Sequence, residues 1–385
     1  MTGLARRLEA GGADTASQRR GVILVLTAAA MIGVLAFVAF TVDVGYIAVT
    51  KAELQNSADA AALAAAWELL DERRLESLPV VFQQARDAAI TYAATNRVGG
   101  LSLLLSPGDE TDGDLVFGRQ APNAPFTAGG PLSQVNSVRV RVRRTEDQNG
   151  ALPLFFAPLI GINTADISAE AIAAFRDGIV GYRTPRGGGT VSLIPFTLHL
   201  SCWEKLLQGD GPDVWTYDKV THTVRPGADG IPEMQIFPQD GLPPGNFGAL
   251  RLGPPSGGNG RLIQQLRAGG LSAEDLDYYG GELRIDPESG SILLGGDTGL
   301  TTGILQACAS IIGRPVSIAI HTETVGTGIN SVYTVVGFAG VRIMSVEPTG
   351  ASKHVIVQPA VVVDDDAISD EGTSWTIYQP VKLTQ

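Results

Sequence analysis

The side chains best suited to chemistry in this chain are its two cysteines, Cys202 and Cys308, and the histidine that precedes the first of them. The spacing His199-x-x-Cys202 would place an imidazole and a thiol within one helical turn, as a thiol–imidazole pair or part of a metal site requires. A zinc site needs three or four protein ligands, and no two further candidates stand near this pair in the sequence. We therefore expect structural roles for His199 and Cys202, and no metal ion.

A disulfide is the other chemistry that the cysteines offer. Cys202 and Cys308 are the only cysteines among the 385 residues, and each lies in or beside a predicted helix. If both are exported across a membrane, oxidising conditions favour one intramolecular bond between them. The alternative is two small buried side chains that never meet, because free cysteine is among the most buried residue types. We take the disulfide as the prediction.

Other motifs that carry chemistry are missing or incomplete. The sequence contains no G-x-S-x-G nucleophile, no Walker motif and no strand-borne G-x-G-x-x-G, so neither acyl transfer nor nucleotide binding is indicated. The acidic segment DETDGD at residues 109–114 departs from calcium-loop spacing and lacks the closing glutamate. The formal net charge of −12 argues against nucleic-acid binding, which uses a clustered basic surface. We expect no catalytic, cofactor-binding or metal-binding residues.

One segment is long and apolar enough to cross a membrane. The predicted transmembrane helix covers residues 21–42, of which 22–42 are 21 consecutive uncharged and mostly apolar residues, roughly 30 Å long as a helix. Arg19 and Arg20 precede this run and Asp43 follows it, so the positive-inside rule predicts a cytoplasmic tail over residues 1–20 and an exported remainder. A cleaved secretory signal is the alternative. The run exceeds the roughly 7–15 apolar residues of such a signal, and its small-x-small cleavage site is poor. We predict an uncleaved anchor in the cytoplasmic (inner) membrane.

The anchor helix is predicted to continue as a stalk over residues 43–100. This segment is rich in Ala, Leu and Gln and has no proline before Pro79, which we expect to end the first helix. Small residues recur along it at i+4 spacing and form one face: Ser57, Ala58, Ala61, Ala62 and Ala65. Such a face permits close approach of another helix. Either the protein's own folded domain covers it, or a partner helix from an assembly does.

These residues also resemble a known family. The basic pair, the single span, Asp43-x-Gly45-Tyr46 and the run LQNSADAAALA at 54–64 resemble the N-terminal module of TadE/TadG-like Flp pilus-assembly proteins. Ser57 and Ala65 are small departures from the family pattern that preserve the small-residue face. The motif and packing positions are Asp43, Gly45, Tyr46, Leu54, Gln55, Ala58, Asp59, Ala61, Ala62 and Ala65.

The resemblance covers residues 19–67, about an eighth of the chain. Beyond it, PPGNFG at 243–248 and VVGFAGVRI at 335–343 resemble the exterior regions of large TadG-like proteins only loosely. The resemblance implies a single-pass component of a tight-adherence pilus or secretion apparatus with no catalytic duty. The partners that it implies are the lipid bilayer and other assembly components, contacted through the stalk helix.

The rest of the chain predicts an α+β fold with two β-rich exterior lobes. A Gly-rich linker at 184–190 is taken to separate the first lobe, 101–183, from the second, 191–385. Hydrophobic patterning predicts helices at 80–95 and 301–312, a helix start at Ser272-x-x-Asp275, and a strand from Ile167. Further strands are predicted at 101–105, 115–117, 137–145, 315–322, 332–346 and 354–363.

Two classes of function follow. The first is a non-catalytic, membrane-anchored scaffold of the cell envelope for Flp pilus assembly. The second is an anchored surface enzyme or ligand-binding module that uses the Gly-rich loops around 253–260 and 295–303. Convergent polar side chains in a deep cavity would favour the second class.

Overall fold

The computed structural model describes residues 13–106, 113–122, 124–238, 248–297, 300–326, 330–350, 353–370 and 375–384. Residues 1–12 of the predicted cytoplasmic tail lie outside this part. So do residues 109–112 of the acidic segment at 109–114 and the PPGNFG motif, except for its last residue, Gly248. The fold is α+β, with a long N-terminal helix and a β-rich remainder, as predicted.

The helices follow the sequence pattern closely. They are α1 (Ala13–Glu68), α2 (Leu78–Thr95), α3 (Leu200–Leu207), α4 (Gly258–Ala268), α5 (Ala273–Asp277) and α6 (Thr302–Ala309). The continuous helix through span and stalk is confirmed, but it ends at Glu68, eleven residues before the expected breaker, Pro79. This proline lies in the first turn of α2 instead, where its missing N–H would have no partner in the helix anyway. Short 3₁₀ helices cover Glu72–Leu75, Leu132–Gln134 and Ala157–Ile160.

The strands are short apart from two near the C-terminus. They are β1 (Leu115–Arg119), β2 (Thr127–Ala128), β3 (Ser137–Arg144), β4 (Leu152–Pro153), β5 (Thr164–Ala165), β6 (Ile167–Ala174), β7 (Ile179–Arg183), β8 (Thr190–Val191), β9 (Leu193–His199), β10 (Trp215–Asp218), β11 (Thr223–Pro226), β12 (Met234–Phe237), β13 (Ala249–Leu250), β14 (Leu271–Ser272), β15 (Glu282–Arg284), β16 (Ile292–Asp297), β17 (Pro315–Val325), β18 (Val332–Glu347), β19 (His354–Pro359), β20 (Val362–Val363), β21 (Ala367–Ser369), β22 (Ile377–Tyr378) and β23 (Lys382–Thr384).

Most of the predicted strands are confirmed, and one is wrong. In β3 the valines are buried and the arginines that alternate with them are half-buried, as period-two patterning requires. The predicted strand at 101–105 does not form, because this segment makes only an isolated bridge between Val98 and Leu101. The predicted start of α5 is confirmed as a capping box between Ser272 and Asp275.

The main sheet has the strand order β12-β19-β18-β16-β13-β9-β17, with a further pairing of β17 to β18. This pairing closes β16, β13, β9, β17 and β18 into a ring, in which β9 and β17 run parallel. One buried cluster joins the ring to α3, α4 and α6 through side chains such as Trp203, Leu266 and Ile304. A second cluster, which includes Tyr182, Phe338 and Leu276, joins it to β7, β15 and α5. A separate five-stranded sheet has the order β2-β1-β3-β6-β23.

The structure has two compact units whose boundaries differ from the predicted lobes. The first unit contains residues 13–58, 93–105 and 141–170, and the second contains the described residues of 59–92, 106–140 and 171–384. The Gly-rich segment at 184–190 does not separate two domains. Strand β7, before that segment, pairs with β15 and β21, which follow it. Strand pairing over more than a hundred residues overrides the linker-like composition, which is a local property.

Candidate functional site

The N-terminal half of α1 presents an uncovered apolar surface. Within the part of the chain that the structure describes, this is the one helix long and apolar enough to cross a membrane. Large apolar side chains from Ile23 to Val42 are exposed along it. In water such a surface is unfavourable, whereas in a bilayer it is matched to its solvent. The chain therefore has the geometry of a single-pass membrane protein.

Asp43, at the end of this apolar surface, holds a distant segment of the chain. Its carboxylate accepts three backbone hydrogen bonds, from the N–H groups of Phe155 at 2.8 Å, Phe156 at 2.9 Å and Ala157 at 2.6 Å. These N–H groups lie at the start of the 3₁₀ helix Ala157–Ile160, where a helix has no partners of its own for them. Asp43 thus caps that helix from outside, and only 4% of it is exposed.

The same contacts set the charge state of Asp43. Burial by itself would raise the pKa of this carboxyl group, but the hydrogen bonds from Phe155, Ala157 and Phe156 outweigh burial and lower the pKa below its usual value. The side chain is therefore a carboxylate at neutral pH, with its acceptors directed at three donors. Asp43 was singled out in the sequence only as a motif residue, and the structure gives it a defined partner, the backbone of residues 155–157.

Further contacts continue along α1 beyond Asp43. The ring of Tyr46 lies 5.1 Å from that of Phe155, centroid to centroid. The carboxylate of Glu53 accepts a 2.6 Å hydrogen bond from the N–H of Gly99. Two residues further on, the side chain of Gln55 donates to the carbonyl of Glu170 at 3.0 Å. Asp43, Tyr46 and Gln55, all motif residues, thus fasten the first turns of the stalk to the folded part of the first unit.

The small-residue face of α1 is covered by the protein itself. Leu54, Ala58, Ala61, Ala62 and Ala65 are fully buried. Ser57 is also buried, and its hydroxyl donates to the carbonyl of Ala93 near the end of α2 at 3.3 Å. Of the two alternatives for this face, the structure therefore shows packing within the chain. No part of these alanines is accessible to a partner helix.

Two motif residues behave differently from this face. Asp59 is half-buried between the buried alanines, and Gly45 lies exposed on α1. A Cβ added to Gly45 would meet no atom within 4 Å, so nothing in this chain requires a glycine there. Glycine inside a helix costs about 0.5–1 kcal/mol relative to alanine. The lack of a side chain at position 45 is thus not explained by the fold of this chain.

The segment Asp71-Glu72-Arg73-Arg74, just after α1, makes several polar contacts within the second unit. Asp71 binds Arg73 at 2.8 Å and Lys219 at 3.1 Å. Arg74 donates to the carbonyl groups of Ser133 and Val135. Its guanidinium lies 5.8 Å from the ring centroid of Phe175 and 6.0 Å from that of Tyr378. These contacts were not predicted from the sequence. The signal that could have indicated them is the run of four consecutive charged residues after the small-residue face of α1.

Glu72 makes the most buried of these contacts. It forms an ion pair with Arg342, which projects from the centre of β18 and is only 3% exposed. The guanidinium of Arg342 also donates to the carbonyl of Gly313 and lies 3.5 Å from the ring centroid of Tyr217. A buried arginine needs such partners, because an isolated charge is costly in a protein interior.

His199 and Cys202 both make local packing or capping contacts, and the half-buried Cys202 packs against the apolar cluster that contains Trp203 and Leu266. His199 caps α3: its Nδ1 accepts from the N–H of Ser201, and its Nε2 lies 2.9 Å from the carbonyl oxygen of Thr322. No disulfide joins Cys202 to Cys308, so the predicted bond is corrected. Cys308 is fully buried on α6 among apolar side chains, and burial raises the pKa of its thiol to about 12. A thiol in this state is neutral and unreactive.

A buried histidine lies beside His199. His321 on β17 is fully buried; its Nδ1 lies 2.9 Å from the hydroxyl of Thr197, and its Nε2 has no hydrogen-bond partner. Its ring stacks edge-on against those of His199 and Tyr333. Burial, together with the nearby His199, lowers the pKa of His321 to about 4. This neutral imidazole is fully buried and is therefore inaccessible from solvent.

The Gly-rich loop at 253–260, proposed for the runner-up function, is filled by internal contacts. Arg261 binds Asp275 at 2.6 Å and Glu274 at 2.9 Å, and Gln265 donates to the same Asp275 oxygen. These polar groups are therefore engaged with one another. Part of the second loop, at 295–303, lies outside the described residues.

A cavity of about 500 Å³ lies within the second unit. It is open, and its carboxylates are already engaged: Asp286 accepts from the N–H groups of Glu288 and Ser289, and Asp370 pairs with Arg284. Among the described residues no group of three His, Cys, Asp or Glu side chains could hold a metal ion. Neither the Gly-rich loop nor this cavity therefore has the convergent polar groups that a catalytic site requires.

Comparison with known proteins identifies the N-terminal two fifths of the chain. Residues 21–68 match a family model described as putative Flp pilus-assembly TadE/G-like, and residues 64–173 match one described as putative Tad-like Flp pilus-assembly. The resemblance to TadE/TadG-like proteins is thereby confirmed. No curated protein and no solved structure matches the chain.

Proposed function

We propose that this protein is a non-catalytic, membrane-anchored component of an Flp pilus-assembly apparatus. One observation carries the proposal: the segment matched by the two pilus-assembly models contains an apolar span and the side chains that fasten the span to a folded exterior. Asp43 and Gln55, inside the first matched segment, bind residues 155–157 and 170, inside the second. The two matched modules thus work as one anchored unit.

In this proposal the anchor lies in the cytoplasmic membrane, with residues 1–20 inside and the bulk of the chain exported. The arginines before the apolar run support this orientation. The exterior part serves as a scaffold rather than an enzyme, because the polar groups of the most plausible cavities bind one another. The runner-up, an anchored enzyme or ligand-binding module, has no comparable observation in its favour.

Contacts with other assembly components are proposed to use the exposed side of the stalk helix. The small-residue face is buried, but Gly45, Val49, Ala52 and Asn56 are exposed and follow helical spacing. A glycine that nothing in this chain requires supports close approach of a second helix at this side. We thus propose that the partner contact uses the exposed side of the helix around Gly45 rather than the buried alanine face.

A pair of variants tests this proposal. Gly45→Leu fills open space, so we expect an unchanged melting temperature and export but a loss of pilus assembly and of crosslinks to partner proteins. Ala62→Leu overfills a buried position and should lower stability by about 1–3 kcal/mol. Ala52→Leu, exposed on the same helix, measures how sensitive the proposed side is beyond position 45. Normal pilus assembly in cells that lack this protein would overturn the proposed function itself.

A further inference from the structure

An exposed apolar hairpin accompanies the anchor helix in the first unit. It consists of β4, β5 and the residues between them, 152–165, with Leu152 paired to Ala165 and Pro153 to Thr164. The 3₁₀ helix Ala157–Ile160 forms its tip, and Gly161 in the left-handed region turns the chain back. The hairpin lies within 18 consecutive uncharged residues, 148–165. It is therefore a second uncharged apolar segment of this chain, after the span itself.

The tip of this hairpin is unusually apolar for a surface exposed to water. Leu159 is 84% exposed and Ile160 is 76% exposed. Phe155, Phe156 and Ile162 are also exposed. Contiguous exposed apolar groups of this size on a protein mark a surface that meets another apolar phase.

Contacts along α1 show where the tip lies relative to the apolar span. The carbonyl of Glu170 is bound by Gln55, twelve residues or about 18 Å beyond Asp43 along the helix. Phe155 packs against Tyr46, about 4.5 Å beyond Asp43. The N–H of Ala157 is bound by Asp43 itself. The partner residues on α1 thus lie progressively nearer to the end of the apolar span from Glu170 in β6 to Phe155 and Ala157 in the hairpin. Leu159 and Ile160, at the tip, follow Ala157 directly in the sequence.

We propose that the hairpin tip is a second membrane contact, which inserts Leu159 and Ile160 into the outer leaflet beside the span. The inference rests on the proposed anchoring of α1. The backbone of the tip limits its depth, because irregular chain carries N–H and C=O groups that hydrocarbon does not satisfy. Insertion therefore reaches the boundary between headgroups and acyl chains, as for amphipathic segments that bury their apolar side about 5–10 Å.

This contact would give the first unit a fixed orientation at the membrane. A single helix leaves a domain free to tilt, whereas a span and an adjacent inserted tip define two points of attachment. Asp43 is the residue that couples the two, because it sits at the end of the span and caps the tip helix. The bilayer is the occupant that these contacts support, since they place the tip at the end of a membrane-spanning surface.

Spin labels on the full-length protein in phospholipid vesicles test the proposal. Native thiols are removed by Cys202→Ser and Cys308→Ala, and single cysteines are introduced at Leu159 and, as an independent reading, at Ile160. Leu35 in the span is the control for the bilayer interior, and Asn56, exposed about 20 Å beyond Asp43 on α1, is the control for water. The measured quantities are collision rates of each label with molecular oxygen and with a water-soluble nickel chelate.

We expect the ratio of oxygen to nickel collisions at positions 159 and 160 to be several-fold higher than at 56 and below that at 35. A ratio equal to that at 56 would overturn the inference while leaving the anchor intact. Shielding from both reagents that disappears as the protein is diluted into lipid would also overturn it, because a second copy would then cover the tip. Nickel access at Leu35 would remove the anchor itself, which distinguishes failure of the proposed function from failure of this inference.

Discussion

Among single residues, Asp43 has the most specific task, since one carboxylate satisfies three N–H groups more than a hundred residues away. Both of its oxygens are used, one for Phe155 and the other for Phe156 and Ala157. An asparagine would have to present an N–H₂ group to at least one of these donors. The site therefore selects for a carboxylate rather than for a polar side chain of that size.

We predict that Asp43→Asn and Asp43→Ala both release the tip helix. Amide hydrogen exchange of residues 155–157 should become faster by about tenfold or more in each variant, because these donors lose their acceptor. Lys51→Ala, at an exposed position on the same helix, should leave their exchange unchanged. If residues 155–157 exchange as slowly in the Asp43→Asn variant as in the wild type, the charge of Asp43 is not required.

His321 gives the second unit a pH-dependent stability. Its pKa is lowered to about 4 in the fold, whereas an unfolded histidine has a pKa of about 6.5. Between these values the unfolded chain binds the proton and the folded chain does not, so stability falls as pH decreases. The full contribution is present above pH 6.5, and about 3 kcal/mol is lost as the pH drops to 4.

The measurement is the free energy of unfolding of the full-length protein between pH 7 and pH 4. His321→Asn should flatten the part of the profile between about pH 6.5 and 4. His222→Asn is the matched control, because His222 is exposed and has a positive φ that asparagine also adopts well. An unchanged profile in the His321 variant would show that another group controls the acid sensitivity.

At the scale of elements, the stalk was largely predictable and its attachments were not. An unbroken helix from the span through Ala65 follows from composition and the absence of proline, which are local properties. The first N–H donor to Asp43 lies 112 positions away in the sequence, and the arginine that pairs with Glu72 lies 270 positions away. No periodicity in the sequence relates such positions. The same limit explains why a linker was predicted at 184–190. Its composition is typical of a flexible linker, but the strands before and after it pair with each other.

The apolar hairpin shows a different limit. The uncharged run at 148–165 was visible in the sequence, but a run of that kind is equally typical of a buried core. Only the exposure of Leu159 and Ile160 in the structure shows that the tip of this run is not buried in a core. Conversely, the small-residue face left two alternatives open, and the burial of Ala61 and Ala62 chose between them.

The link between the segment after α1 and the main sheet depends on the buried pair of Glu72 and Arg342. Glu72→Gln leaves a nearly inaccessible guanidinium without its counter-charge, so we expect a loss of about 3–5 kcal/mol in unfolding free energy. Combining it with Arg342→Met should recover part of this loss, because the uncompensated charge is then removed. Denaturant unfolding of the two single variants and the double variant measures the coupling.

An exposed pair on the same protein provides the control. Lys382 and Asp365 lie 2.9 Å apart, but both side chains are more than half exposed. Water screens such pairs, so Asp365→Asn should cost less than about 1 kcal/mol. Equal losses of unfolding free energy for the exposed and the buried pair would show that Glu72 does not stabilise the link between the segment after α1 and the main sheet.

For the whole molecule, the distribution of charge and the position of the span determine its orientation. From Asp43 to the C-terminus the chain has 24 basic and 38 acidic residues, whereas residues 1–20 carry a net charge of +2. Large acidic domains are exported regardless of their charge, and the basic residues within about 15–20 positions of a span set its direction. Orientation therefore depends on the four arginines of the N-terminal tail, at positions 6, 7, 19 and 20.

We predict that a reporter enzyme active only outside the cytoplasm is active when fused after Gln385. The arginines retain the N-terminus inside, and the apolar run carries the remaining chain across. The same reporter fused after Arg20, without the span, should be inactive, and a cytoplasmic reporter should show the opposite pattern at both positions. Replacing the four arginines with glutamate should reduce the exported fraction, because the tail then has no charge that opposes its translocation. Full activity of a cytoplasmic reporter at Gln385 would reverse the orientation and would also place the hairpin tip at the inner leaflet.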